Sequence, residues 1–421
     1  MVFESRVLGM AALAGVGMLA ACGGSTNAGS QGSGGTPSVL IALNVPSSAD
    51  PYVAQVISRG AQLAVAEANQ KGLSIGGTSY QLKLKTYDDA NQPQQSASNV
   101  DAAIHDGAVA VIEDGIGATI SSAHSSSAGV PEIAITNGDA GLMDAANRPN
   151  LFRLGIANDA AANVLSMYIA TKSKSVAVIH DDTASGRDGA NQLTSALATA
   201  GATAAPVIEI ASGAPTIDTQ IQQVAAAGAG VLTIWGSDAF IGKVVAGVHA
   251  AGLTTPLFAG PDAESPSVRA VAGNMASDGL RMVLSRTVSE SDSSSFSQFE
   301  HRLAAAGLGP TDAGVKNSAG QEIRQPNDRD FFSYDAVNLV IAALKKQGAI
   351  SPGANLVKAI GSVSIPSANG DTRGFNPQTH EGVADDDMYI AVIHDMQFVP
   401  VKDEKLSATL PAENQVLADF H

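Results

Sequence analysis

From Val39 onward, short apolar runs alternate with longer segments in which apolar residues recur at helical spacing. The runs Val39–Val45, Tyr80–Asp88, Val109–Ile112, Glu132–Thr136, Val176–His180, Pro206–Ile210, Gly230–Trp235, Pro256–Ala259, Leu280–Ser285 and Met388–His394 read as strands. Most are continuously apolar, the pattern of parallel strands covered on both faces. Tyr80-Gln81-Leu82-Lys83-Leu84-Lys85 alternates instead, so one face of that strand is expected to meet water. Pro51–Gln70 places Val53, Val56, Gly60, Leu63 and Glu67/Ala68 at helical spacing, and Asp238–Ala251 and Phe331–Lys346 read the same way. Ten strands interleaved with helices predict an α/β protein with mostly parallel sheets.

The alternation falls into two series, 39–152 and 175–260, with a break near Asn150-Leu151-Phe152-Arg153. A further helical block, 293–360, follows the strand at 280–285, and the last strand comes after a polar, Gly- and Pro-bearing stretch at 361–387. Residues 309–330 are polar and poor in apolar periodicity, and read as a surface loop.

The amino-terminal segment carries a different pattern. Val7 to Ala21 is apolar and uncharged, and it is too short for the ~20 residues of a spanning helix, but it fits a secretory h-region. It ends at Leu19-Ala20-Ala21-Cys22, followed by a Gly-, Ser- and Asn-rich run to Gly35. This run resembles the lipobox of bacterial lipoproteins. The resemblance implies a signal peptide at 1–21, Cys22 as a lipidated amino terminus, and a flexible tether at 22–37. The alternative is an ordinary secreted protein whose cysteine is incidental. Cys22 is the sole cysteine, so no intramolecular disulfide forms and no thiol elsewhere serves catalysis. The segment before the apolar run holds one arginine, Arg6, offset by Glu4.

Composition narrows the function classes. A net charge of −16 without a Lys/Arg cluster argues against nucleic-acid binding, because nothing neutralises phosphates. No other apolar run reaches membrane length. Aromatic residues make up only 4 %, with 43 glycines, which suits close helix–sheet packing better than a carbohydrate-stacking platform.

Enzyme signatures are largely missing. Gly236-Ser237-Asp238-Ala239-Phe240-Ile241-Gly242-Lys243-Val244 has one residue too many for a phosphate loop, and Val244 stands where magnesium needs a hydroxyl. No Gly-x-Gly-x-x-Gly follows the first strand, so no dinucleotide cofactor is expected. The histidines lack metal spacing, and His180-Asp181-Asp182 suits capping a turn at a strand end. Asp385-Asp386-Asp387 reads as a solvated acidic loop rather than a calcium site. A dispersed Ser-His-Asp triad stays open, although no Gly-x-Ser-x-Gly elbow accompanies it. The expectation is a protein with no catalytic residues, no metal and no cofactor.

Nine segments in order resemble the type I periplasmic-binding-protein fold, in the leucine/isoleucine/valine-binding group that serves amino-acid and amide ABC importers. They are Gly60–Asn69 with Gly72, Tyr87-Asp88-Asp89, Asp106–Ile112, Ala128–Pro131, Pro149–Arg153, Val176–Asp182, Ala250–Leu253, Tyr334-Asp335-Ala336 and Gln397–Pro400. The resemblance runs from about Val39 to Val401. It implies two Rossmann-like lobes with mostly parallel sheets joined by a three-strand hinge, with crossovers near Arg153, Arg286 and residues 365–378. Lobe 1 is then 38–153 plus 287–365, and lobe 2 is 154–286 plus 366–421.

The same resemblance implies the site. In the first lobe, Glu113-Asp114-Gly115-Ile116-Gly117-Ala118-Thr119 and Thr136-Asn137-Gly138-Asp139 follow strands, and backbone N–H groups of Gly117, Ala118 and Thr119 are placed to hold a ligand carboxylate at a helix start. Thr119 and Thr136 hydroxyls assist, with Gly115, Asn137 and Gly138 in the same turns; Gly117 and Thr119 equally suit turning and capping that helix. In the second lobe Asp262, in Gly260-Pro261-Asp262, corresponds to the acid that pairs with a ligand ammonium, although it also suits an N-cap of the helix near Pro266. Trp235 and Asp238 are expected at the cleft, Ser185 stands where relatives carry Tyr, and Tyr52 or Val53 lies where another Tyr is found. The first-lobe turn is shorter than in relatives and less rich in serine, which leaves the ligand as a small polar organic solute, amino-acid-like at its most specific. The implied function is an extracytoplasmic, lipid-anchored receptor delivering that solute to separate ABC permease and ATPase subunits. The alternatives are a sensor module signalling to a membrane partner and, less favoured, a secreted α/β hydrolase.

Overall fold

A computed structural model describes residues 36–285, 294–309, 314–368, 370 and 372–401. The apolar run, Cys22, the tether to Gly35 and Arg286 lie outside the described residues.

Two sheets organise the chain. The first contains β1 (Ser38–Val45), β2 (Leu73–Ile75), β3 (Thr78–Asp88), β4 (Ala108–Glu113), β5 (Glu132–Ala134) and β6 (Leu151–Arg153), in the order β2-β3-β1-β4-β5-β6. All neighbours are parallel except the β2–β3 edge pair. The second contains β7 (Ser175–Asp181), β8 (Thr203–Ile210), β9 (Val231–Trp235), β10 (Leu257–Ala259) and β11 (Arg281–Ser285). A small hairpin of β12 (Ser364–Pro366) and β13 (Thr372–Gly374) stands apart, and β14 (Met388–His394) and β15 (Gln397–Pro400) complete the second sheet as an antiparallel edge, in the order β15-β14-β11-β10-β9-β7-β8. The fold is therefore α/β with mostly parallel sheets.

The hydrophobic pattern explains these elements. β4 and β9 are buried along their whole length, as continuous Val/Ile/Leu runs require. In β3, Leu82 is buried while Gln81, Lys83 and Lys85 are exposed, so its alternation faces one side to water. Every run read as a strand contains one, whereas β2, β6, β12, β13 and β15, each of three or four residues, escape the pattern.

The long helices Pro51–Lys71 and Asp328–Gln347 pack on each other beside the first sheet. Their contact is close at Gly60, where an added Cβ would lie 1.9 Å from the Asp330 carbonyl oxygen and 2.3 Å from Ser333 Oγ. Buried Arg59 meets Asp330 there at 2.7 Å. Among the described residues of 309–330 the surface-loop reading holds for most positions but not for all. Val315 and Ile323 are buried beside Met396, and residues 326–330 are buried around the start of the Asp328 helix. Asn327 caps that helix, accepting from Arg329 N–H at 2.9 Å while its own N–H donates to Asp330 Oδ2 at 2.8 Å.

The chain passes from the first sheet to the second after β6, and from the β12–β13 hairpin to β14 through residues 375–387. Arg153 braces both passages. Its guanidinium donates to Glu381 at 2.8 Å and to the carbonyls of Asn137 and Asp139 at 3.2 and 2.9 Å.

Candidate functional site

In open parallel sheets, the turns beyond the carboxyl ends of strands carry side chains not consumed by sheet packing, and ligands collect there. Here both sets of carboxyl ends border one cavity of about 360 Å3. From the first sheet come Pro46, Asp50 and Val53 beyond β1, Asn91 beyond β3, Asp114 and Ile116 beyond β4, and Thr136, Asn137 and Asp139 beyond β5. From the second come Thr183 to Ser185 beyond β7, Ser237 and Asp238 beyond β9, and Asp262 and Ser265 beyond β10. Arg329 enters from the first turn of the Asp328 helix.

Buried groups fix these turns. Asp181, at the end of β7, accepts from Thr183 N–H and Oγ1 through Oδ1, and from Ser237 N–H and Oγ through Oδ2, at 2.5–3.2 Å. One carboxylate thus ties two cavity turns together. On the opposite wall, Thr136 Oγ1 donates to the Asp114 carbonyl at 2.8 Å and Asn137 Nδ2 donates to the Gly115 carbonyl at 3.1 Å.

The charged groups are mostly acidic. Arg329 donates through Nη2 to Asp262 at 2.7 Å, and among the described residues its buried Nη1 has no hydrogen-bond partner. Beside it, Asp328 accepts from Ser285 N–H at 2.6 Å and from the Ser285 hydroxyl, and the Asp328 N–H donates to Glu264 at 2.8 Å. Asp114 is 5 % exposed, and burial pushes its carboxyl up to about 7, with Asp89 and Asp50 adding like charge. Burial also raises Asp139, with Asp188 reinforcing it, and Asp139 Oδ1 has no partner. Behind the wall, fully buried Glu113 is pushed well up by desolvation and by Glu132, whose carboxylate accepts from Ser121 Oγ at 2.5 Å.

Of the residues expected at the site, the structure brings Thr136, Asn137, Ser185, Asp238 and Asp262 to the cavity. The others stand elsewhere. Gly115 is a turn glycine at φ +94°, whose added Cβ would meet Asn137 Cβ at 2.9 Å. Gly117 caps the helix Ala118–Ala128, Ala118 is fully buried with its N–H turned back to the Gly115 carbonyl at 3.3 Å, and Thr119 is exposed outside the cavity. None of these three lines the cavity, whereas Ile116 from the same turn does. Gly138 packs against Ile156 and Asn158. Tyr52 accepts from Asn327 Nδ2 at 3.0 Å while its neighbour Val53 lines the cavity. Trp235 is only 3 % exposed and lies behind the wall, against Gly189 and Gly260. Its strand is buried on both faces, so position at a strand end does not bring the ring into the cleft.

Asp50, Asp114, Asp139 and Arg329 were not singled out by sequence. The first three sit in strand-end turns, so topology offered a signal; Arg329 sits in a polar segment with none. Among the described residues, no cluster of three or more His, Cys, Asp or Glu is arranged for a metal, and no helix is long and apolar enough to cross a membrane.

Two α/β halves sharing one cavity at their strand ends define the type I periplasmic-binding-protein class. A family model described as periplasmic binding protein matches residues 41–398, and the chain belongs to that family. It is 27 % identical over 225 residues to Leu/Ile/Val-binding protein homolog 3 of Brucella melitensis, a match spanning 52 % of this chain and 60 % of the relative's length. A periplasmic binding protein type 1 from Bordetella pertussis superposes with a TM-score of 0.73 at 19 % identity, covering 86 % of this chain and all of the other. A solute-binding protein of R. palustris in complex with benzoate gives 0.71 at 20 %, covering 86 % and 95 %. A branched-chain amino-acid transporter substrate-binding protein from Streptococcus pneumoniae in complex with isoleucine gives 0.72 at 18 %, covering 86 % and 97 %. These relatives are solute-binding proteins, not enzymes.

Proposed function

We propose that this protein is the extracytoplasmic substrate-binding component of an ABC importer, anchored through lipidated Cys22, and that it captures a small polar organic solute. Lobe 1, 38–153 plus 287–365, and lobe 2, 154–286 plus 366–421, close on the solute by hinge motion near Arg153, Arg286 and 365–378. Separate permease and ATPase subunits then receive it. The observation that carries this reading is the cavity of about 360 Å3 bordered by strand ends of both sheets, a size suited to an amino acid or aromatic acid. Family membership and the nature of the relatives support it.

The test is a thermal-shift screen of the purified protein, followed by small-angle scattering with the best ligand. A ligand at a hundredfold excess over Kd stabilises the folded state by ~2.7 kcal/mol, which a melting scan detects. The bound protein is expected to show a smaller radius of gyration. A saturating ligand that leaves the scattering curve unchanged removes cleft closure from the reading.

A further inference from the structure

We infer that the solute is a cation, an organic ammonium or amidinium whose charged group is held by Asp114 and Asp50 at the first-sheet wall of the cavity. This rests on the substrate-binding reading and specifies its ligand. Five carboxylates line the cavity, Asp50, Asp114, Asp139, Asp238 and Asp262, against a single base, Arg329. Arg329 is already engaged by Asp262 at 2.7 Å, and among the described residues none of the other four acids forms an ion pair, Arg153 acting on Asp139 only at longer range.

The four differ in what they still accept. Asp238 receives the Ala239 N–H at 2.6 Å and the Ser265 hydroxyl at 2.7 Å. Asp50 and Asp114 each use one oxygen on a turn N–H, from Val53 at 3.0 Å and Ile116 at 2.9 Å. The Gly115 N–H also bears on Asp114, and among the described residues no side chain donates to either carboxylate. Asp114 is more than nine-tenths buried and still lines the cavity, and fully buried Asp89 adds another carboxyl beside it. A desolvated carboxylate is unfavourable until a positive charge meets it.

The same geometry disfavours an anion at this wall. The Ala118 N–H is turned back to Gly115, and among the described residues no Lys, Arg or His besides Arg329 lines the cavity. A ligand carboxylate at the turn after β4 would lie beside the Asp114 carboxyl. Pro46, Val53 and Ile116 offer apolar surface for a hydrocarbon body.

Matched probes of opposite charge test this by titration calorimetry: butylamine against butyrate, benzylamine against benzoate, leucinamide against leucine, with agmatine added. In each pair that binds, the cation is expected to bind at least about tenfold tighter. Asp114→Asn and Asp50→Asn keep an oxygen for their turn N–H groups, and each is expected to weaken the cation by about thirtyfold or more, the range for a desolvated charge pair losing one partner. Circular dichroism of both variants checks that they remain folded. Tighter binding of the carboxylate or zwitterion, or unchanged amine affinity in both variants, overturns the cationic ligand while leaving substrate binding in place. A protein inert to every probe at 10 mM removes both readings.

Discussion

Arg329 and Asp262 meet at 2.7 Å although 67 residues separate them, and their contact joins the two halves of the molecule at the cavity edge. The Arg329 helix is held to the first half by Arg59–Asp330, whereas Asp262 belongs to the turn after β10 in the second. The carboxylate that sequence placed opposite a ligand ammonium is therefore occupied by a guanidinium of the same chain.

Asp262→Asn leaves buried Arg329 without its hydrogen-bonded anion, with Glu264 and Asp50 acting only at longer range. Breaking a buried pair costs about 3–5 kcal/mol, but the Asp262 side chain is 42 % exposed and screened, so a loss of about 1–3 kcal/mol is expected. Arg329→Met should destabilise by a similar amount, and the double variant by less than the sum of the two. Urea unfolding of all four proteins measures this, and strict additivity would show that the pair carries no coupling.

Asp114 makes apo stability pH-dependent. Its folded carboxyl titrates near 7 against an ordinary value of 3.8, so the folded protein retains a proton that the unfolded chain releases. The group's contribution is most favourable below about pH 4, declines as pH rises towards 7, and is flat above. Asp114→Asn is therefore expected to stabilise the ligand-free protein at pH 8 by about 1–3 kcal/mol, with a smaller gain at pH 5. Equal effects at both values would mean that the side chain is not buried as a carboxyl.

Gly60→Ala separates helix propensity from packing. Alanine in a helix interior is favoured over glycine by about 1 kcal/mol, yet here its Cβ would fall 1.9 Å from a carbonyl oxygen of the neighbouring helix. Overpacking dominates, and a net loss of about 1–3 kcal/mol is expected in chemical denaturation. A neutral or stabilising substitution would place the helices farther apart.

Cys22→Ala is expected to leave folding intact and to release the protein from membranes, because acylation is its anchor in the proposed function. Fractionation in high salt followed by immunoblotting decides this. A variant that still pellets with membranes is held by something other than lipid on Cys22.

The repeating architecture was legible because parallel strands must be apolar throughout, a pattern visible without neighbours. β6 was visible only as a break, since Leu151-Phe152-Arg153 ends in a charge that burial and Glu381 explain. At the site, Thr136, Asn137, Ser185, Asp238 and Asp262 could be read because topology fixes where strand ends lie. Arg329 could not, since its place depends on packing of the Asp328 helix against Pro51–Lys71 rather than on local pattern. At Gly117 and Thr119 the helix start was legible, whereas the burial of Ala118 and the exposure of Thr119 outside the cavity depend on packing around the turn.

Trp235 gives the protein an optical property. It is the sole tryptophan, and its ring stands against Gly260, in the turn that carries Asp262, and against Gly189 in the helix after β7. Excited at its red edge, the chain emits from one fluorophore, shielded from aqueous quenchers and touching two segments of the cavity wall. Any displacement of the Gly260-Pro261-Asp262 turn changes what that indole touches. Occupancy of the cleft can then be followed in the unlabelled protein, in real time, by the emission of a residue that stands behind its wall.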